Sequence, residues 1–323
     1  MLKRLMISIG ITALLASCVQ DEPSPPSFKV ALLSPGPVSD AGWNASAYEG
    51  LLRIKDELGA EISQIETKTP SEFEEAFRDY GRRGYALAFG HGFEFQDAAV
   101  TVAVDFPKTV FIVTAGNRFG SNYAPMVFQL EEATYLAGML AAELSKTGKV
   151  GAVGGMPIPP VERTFRAFAN GARAVNSEIR YAQSFIGNWE DAGAARQATL
   201  ALIDQGCDLI IHNADAAAAG VFQAAQERGV LVFGTNRNQN DLSPQHIVAS
   251  CVSDIPQAYV EMARLVKEQR FESKIYELGM RANVVSFITN PALESQIPAE
   301  VLARLATART HIIDGEIQVL GEQ

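Results

Sequence analysis

Short, nearly unbroken apolar runs alternate with stretches of helical periodicity along most of the chain. The runs at 28–34, 60–66, 85–90, 109–115, 150–154, 208–212 and 230–234 lack polar alternation, as expected of strands buried on both faces. Between them, 42–58, 71–82, 131–145, 161–175, 189–205 and 217–228 are expected to be helices. Strands and helices in this order predict parallel sheets with helical crossovers, an α/β fold. The punctuation agrees. Ser71, after Pro70, is the expected N-cap of the second helix, with Glu74 closing a capping box. Gly148, Gly206 and Gly229 each separate a helix from a strand, where a positive φ is wanted. The pattern restarts at Lys149-Val150-Gly151-Ala152-Val153-Gly154-Gly155, and the 296 residues from 28 to 323 exceed what one core usually serves. Two lobes are expected.

The first residues have another character. Lys3 and Arg4 precede an apolar stretch over 5–15, charged then apolar as in a secretory signal and shorter than the roughly 20 residues that span a bilayer. Leu15-Ala16-Ser17-Cys18 resembles a bacterial lipobox. That likeness implies that residues 1–17 are removed, that Cys18 carries acyl chains, and that the mature protein is extracytoplasmic, anchored by lipid to the bacterial membrane. A plain signal cut near Ala16 is the alternative, and it too exports the chain. Residues 18–27, with Asp21, Glu22, Pro23, Pro25 and Pro26, are too polar and proline-rich for a core and read as a tether. The formal charge of −10 becomes −12 once Lys3 and Arg4 leave. So acidic a chain is not expected to bind nucleic acid, which needs a basic patch. Besides Cys18 there are Cys207 and Cys251; two cysteines make no disulfide framework, and buried free thiols are expected over a bridge.

In open parallel α/β sheets ligands bind beyond the carboxyl ends of the strands. After the first strand comes Ser34-Pro35-Gly36-Pro37-Val38-Ser39-Asp40-Ala41-Gly42-Trp43-Asn44. Trp43 offers a stacking face to a planar ligand and Asn44 offers both donor and acceptor. The alternative is that Trp43 packs under the helix and Asp40 caps it. Catalysis has little support: no Gly-x-Ser-x-Gly occurs, and His91, His212, His246 and His311 show no ligand spacing. His212 ends an apolar strand, to face a cleft or to sit satisfied in the core. The glycine-rich stretches lack the endings of phosphate loops. No metal or cofactor is expected.

Six motifs in order resemble the basic membrane protein family, the PnrA-like lipoprotein solute receptors of ABC importers. They are Asp40 to Leu51 (DAGWNASAYEGL), Gly90-His91-Gly92-Phe93, Glu132 to Gly138 (EATYLAG), Gly151 to Pro159 (GAVGGMPIP), Phe168 to Asn176 (FANGARAVN) and Ile203 to Asp208 (IDQGCD). The resemblance implies a type I periplasmic-binding-protein fold, two Rossmann-like lobes with a hinge and a ligand cleft between them. It places the N-terminal lobe at 28–129 with part of 253–290, and the C-terminal lobe at 130–252 with part of 291–323. It implies a monomer that is not an enzyme, with a small-molecule ligand and ABC permease subunits as partners. Purine nucleosides are the family's best-known ligands. The candidate binding residues are Asp40, Trp43, Asn44, His91, Phe93, Asn117, Met156, Asn213, Asn236 and Ser253, with Asn238 as either a contact or a turn residue.

Three departures bear on the ligand. Where the family carries an aspartate after the fourth strand this chain has Ala115; where it has Gly-Val-Asp for the ribose, Gly234-Thr235-Asn236; where it has a Lys after Ser-x-Val, Ser253. Losing carboxylates that grip hydroxyls removes charge-assisted hydrogen bonds, so purine nucleosides are expected to bind poorly and a planar, neutral, acceptor-rich solute to fit best. An extracytoplasmic sensor feeding a membrane kinase or regulator, and a nucleoside hydrolase, are the alternative functions.

Overall fold

The computed structural model describes residues 27–40 and 42–321; the lipobox-like tetrad and nearly all of the tether lie outside the described residues. The first βα units are β1 (Lys29–Ser34), α1 (Trp43–Leu58), β2 (Glu61–Glu66), α2 (Pro70–Arg82), β3 (Leu87–Gly90), α3 (Gln96–Ala103), β4 (Val110–Thr114) and β5 (Tyr123–Phe128). The pattern resumes with α4 (Glu131–Leu144), β6 (Lys149–Gly154), α5 (Pro159–Val175), β7 (Arg180–Phe185), α6 (Ala192–Asp204), β8 (Leu209–Asn213), α7 (Ala218–Arg228), β9 (Leu231–Asn236) and β10 (Ile247–Ser253). The chain then runs through α8 (Ile255–Lys267), β11 (Tyr276–Leu278), β12 (Val285–Thr289) and α9 (Ala299–Asp314).

Two sheets result, ordered β2-β1-β3-β4-β5-β11 and β7-β6-β8-β9-β10-β12. Every pairing is parallel except β10 with β12. The exception follows from connectivity: β12 enters from the first lobe, at the end of the second sheet where the parallel strands finish, and has to run back.

The missing polar alternation has its cause in the packing. Val30 and Leu32 of β1 face α1 and α8, while Ala31 and Leu33 face α2 and α3. The second sheet is covered by α4, α5 and α9 on one side and by α6 and α7 on the other. Each fully buried Leu or Phe in these layers contributes roughly 1.5–3 kcal/mol. Between α4 and α5 the backbones nearly touch. A Cβ on Gly138 would lie 1.9 Å from the Phe168 carbonyl oxygen, and one on Gly171 1.9 Å from that of Tyr135. Two of the sequence motifs are therefore helix-packing motifs.

Some local expectations change. The capping box is Thr69 with Glu72, two residues earlier than Ser71 with Glu74, because Pro70 takes the first helical position, which suits its fixed φ and missing N–H. The sixth helix starts at Ala192, capped by Asp191, which leaves Trp189 in the preceding loop. Gly148, Gly206 and Gly229 all take positive φ. Cys207 and Cys251 are buried free thiols, and burial raises the pKa of both.

Candidate functional site

A cavity with about 840 Å³ of empty space, its open mouth included, lies between the lobes at the carboxyl ends of both sheets. The first lobe supplies Pro35, Gly36, Trp43 and Asn44 after β1, Gly92, Phe93 and Glu94 after β3, Ala115 after β4, and Phe128 at the end of β5. The second supplies Ile158, Pro160, Val161 and Thr164 after β6, Trp189 after β7, Asn213 at the end of β8 with Asp215 just beyond it, and Asn236 and Ser253 at the ends of β9 and β10. Aromatic walls with a few convergent polar groups are the ordinary make-up of a small-molecule site.

Trp43 is half-buried and backed by a built support. His91 stacks on it at 4.2 Å between ring centroids and 20° between planes, and Phe128 meets it edge-on. His91 Nε2 lies 2.9 Å from the Trp43 carbonyl oxygen, so Nε2 donates. Nδ1 is then the acceptor, and the Tyr259 hydroxyl donates to it at 2.7 Å. Burial holds the imidazole down to about 3, against smaller upward pulls from the Trp43 carbonyl and Asp40. This ring is a neutral spacer that fixes Trp43. Across the cleft, Trp189 rests on Gly155, where a Cβ would come within 2.1 Å of the indole, and its carbonyl accepts from Ala217 N–H at 3.0 Å.

Two carboxylates enter the cavity. Asp215 is pushed up to about 8 by burial, then by Asp40 and Glu94, against the Asn236 side chain. Glu94 is exposed to solvent, yet the surrounding walls displace enough water to raise its pKa too, partly offset by its own backbone N–H. Its carboxylate lies over Gly92, within 2.4 Å of where a Cβ would stand. Ala115, Asp215 and Asn236 have φ of 63°, 45° and 66°. Left-handed backbone at a non-glycine is uncommon, and three such residues on one cavity wall mark turns held in a specific shape by their surroundings.

Of the ten residues chosen from sequence, six line the cavity: Trp43, Asn44, Phe93, Asn213, Asn236 and Ser253. The other four are not on its wall. Asp40 is occupied as a cap, accepting from the backbone N–H groups of Gly42, Asn44 and Ala45 and from Asn44 Nδ2 at 2.8–2.9 Å. His91 is wholly buried behind Trp43. Asn117 is exposed, in a loop tied by its N–H to Gln96 Oε1, and Met156 yields its place to Ile158 and Pro160. Asn238 accepts from Asn240 N–H, a turn role. His212 is buried against Gln239, 2.9 Å away, and burial lowers its pKa to about 4.

Sequence reading missed Glu94, Asp215 and Trp189. Each lies within a few residues of a strand end, the one signal that points to them. The three departures Ala115, Asn236 and Ser253 all line the cavity. Among the described residues no group of acidic, His and Cys side chains is placed to hold a metal, and no helix is long and apolar enough to cross a membrane.

Known proteins of this architecture include an ABC transporter solute-binding protein from Aeropyrum pernix K1, 23% identical with a TM-score of 0.82 over 90% of this chain and 92% of its own. A protein from Bacillus halodurans described as a transcriptional activator of the comK gene is 28% identical, with a TM-score of 0.77 over 90% of this chain and 99% of its own. In sequence, a purine-binding protein of Brucella abortus is 28% identical over 297 residues, 90% of this chain and 84% of its own. The Bmp family model, described as ABC transporter substrate-binding protein PnrA-like, matches residues 27–322. Two doubly wound lobes with a lined cleft between them, and a family match that spans both, lead to one assignment: the chain belongs to the basic membrane protein family of PnrA-like ABC transporter substrate-binding proteins.

Proposed function

We propose that this protein is the extracytoplasmic, lipid-anchored receptor of an ABC importer and that it captures a small planar, polar solute between its lobes. The observation that carries the reading is the pair Trp43 and Trp189, one from each lobe, lining a single cavity. Such a pair presents flat apolar faces to a ring, while Asn44, Asn213, Asn236 and Ser253 supply polar contacts around it. Closing the lobes on a ring removes it from water and strengthens those contacts. Ala115, Asn236 and Ser253 stand where the family carries charge, so adenosine, guanosine and inosine are expected to bind weakly.

A thermal-shift screen across nucleosides, nucleobases, heterocyclic vitamins and sugars tests the reading. A ligand at a hundredfold excess over its Kd adds about 2.7 kcal/mol of apparent stability. Submicromolar binding of a sugar that does not quench tryptophan fluorescence would count against a planar ligand. For the anchor, Cys18→Ala is expected to abolish partition into membranes, since acylation needs that thiol; a processed variant still bound to membranes would refute it.

The likeness to the Bacillus halodurans protein described as a transcriptional activator favours a second reading, in which the same cleft serves a sensor. Permease and ATPase genes beside this one support import, and a lone sensor-kinase gene supports sensing.

A further inference from the structure

We infer that the cleft selects a planar ring carrying positive charge on N–H donors, such as an amidinium-bearing or protonated amino heterocycle, gripped by Glu94 from one lobe and Asp215 from the other. This rests on the solute-receptor reading above and specifies its ligand.

The cavity wall contains two carboxylates and no Lys, Arg or His. Asp40, the other acid facing Asp215, has its oxygens taken up by four N–H donors at the start of α1, so it shares no proton with Asp215, and its charge has the same sign. With a neutral ring, Glu94 and Asp215 have either to keep their protons or to be enclosed as charges without a counter-charge, and enclosing an unpaired charge is costly. A cation with two or more N–H groups would pair both.

The neutral polar groups point the same way. Asn44 is 6% exposed and spends its Nδ2 on Asp40, which leaves Oδ1 as a buried acceptor with no partner on the cavity wall. Ser253, 3% exposed, likewise has a hydroxyl without a partner. An acceptor on Asn44 beside carboxylates on Glu94 and Asp215 asks for a donor-rich ligand, the reverse of the acceptor-rich solute expected from sequence. The backbone holds Asp215 in place at φ 45°, a conformation that Asp and Asn tolerate better than most residues.

The test uses two pairs that differ in charge, benzamidine with the isosteric benzamide, and 1-methyladenosine with adenosine, which differ also by one methyl group, titrated calorimetrically into the purified protein at neutral pH. The cationic member of each pair is expected to bind tighter by about tenfold or more, the scale of one charge-assisted hydrogen bond. Asp215→Asn and Glu94→Gln, both near-isosteric, are each expected to reduce that preference; should one fail to fold, the other carries the test. Neutral members binding as tightly, or preferences unchanged in both variants, would overturn the charge inference and leave the receptor reading standing. If neither pair binds at millimolar concentration but a neutral solute from the wider screen does, the charge inference also fails. If nothing binds, the receptor reading falls with it.

Discussion

Replacing Asp215 by Asn should make the protein more stable, by an amount that grows as pH rises from about 4 to about 8. The Asp215 carboxyl titrates near 8 in the fold against an ordinary value of 3.8, mainly because burial disfavours its charge, with Asp40 and Glu94 facing it from the first lobe and Asn236 beside it in the second. The folded chain therefore keeps a proton that the unfolded chain gives up. The stability tied to that proton is complete below the unfolded value and is lost as pH rises towards the folded one. At about 1.4 kcal/mol per unit, a window of about four units caps the loss near 6 kcal/mol. Asp215 keeps some solvent contact, and water in the open cleft relaxes its charge, so about 2–3 kcal/mol is the expected size. Asn adopts the same left-handed backbone and cannot ionise. Urea unfolding followed by tryptophan fluorescence should give matching stabilities for the two proteins at about pH 3 and a variant more stable by about 2–3 kcal/mol at about pH 8.5. A pH-independent difference, or a variant less stable in alkali, would refute a buried, charge-crowded Asp215.

Four further outcomes are expected. Tyr259→Phe leaves His91 Nδ1 buried without its donor and should cost about 1–3 kcal/mol in urea unfolding; an unchanged midpoint would mean that His91 is held by other contacts. Gly138→Ala drives a methyl to 1.9 Å from the Phe168 carbonyl oxygen and should lower stability by about 1–3 kcal/mol or more, measured the same way. His91 and His212 are held neutral by burial, at about 3 and about 4. The stability they contribute is present above the ordinary imidazole value and is lost as pH falls towards those values; unfolding of Asp215→Asn between pH 6 and 4 should show it without the opposing proton of Asp215. Trp43→Ala should weaken binding of the ligand found in the screen by about 1–3 kcal/mol, the scale of one aromatic stack, with melting temperature little changed; calorimetry on a Trp189→Phe background separates the two tryptophans.

The lobes' architecture was readable because it rests on short-range regularities. Unbroken apolar runs such as 28–34 can only be satisfied between two helical layers, and Gly148, Gly206 and Gly229 mark turns whose backbone few other residues adopt. The loop after β1 was readable for a similar reason, because Trp43 and Asn44 follow directly on a strand end. The same local view misjudged Asp40. A carboxylate near a helix start serves equally to cap or to bind, and only the directions of the N–H groups at Gly42, Asn44 and Ala45 decide for the cap.

The sequence by itself determined seven of the strands and six of the helices, their α/β alternation in two lobes, the strand ends after β1, β3, β4, β6, β8 and β9 where a cleft would form, and the family. Tertiary structure alone decided which side chains reach that cleft. Glu94 and Asp215 are remote in the chain and belong to different lobes, and neither one's charge environment is encoded near it. Trp189 depends on the space left by Gly155, and β12 runs antiparallel because of where the chain crosses. Hydrophobic periodicity and turn chemistry act over a few residues and leave a pattern in the chain, whereas desolvation and charge repulsion depend on atoms brought together from distant segments and leave none.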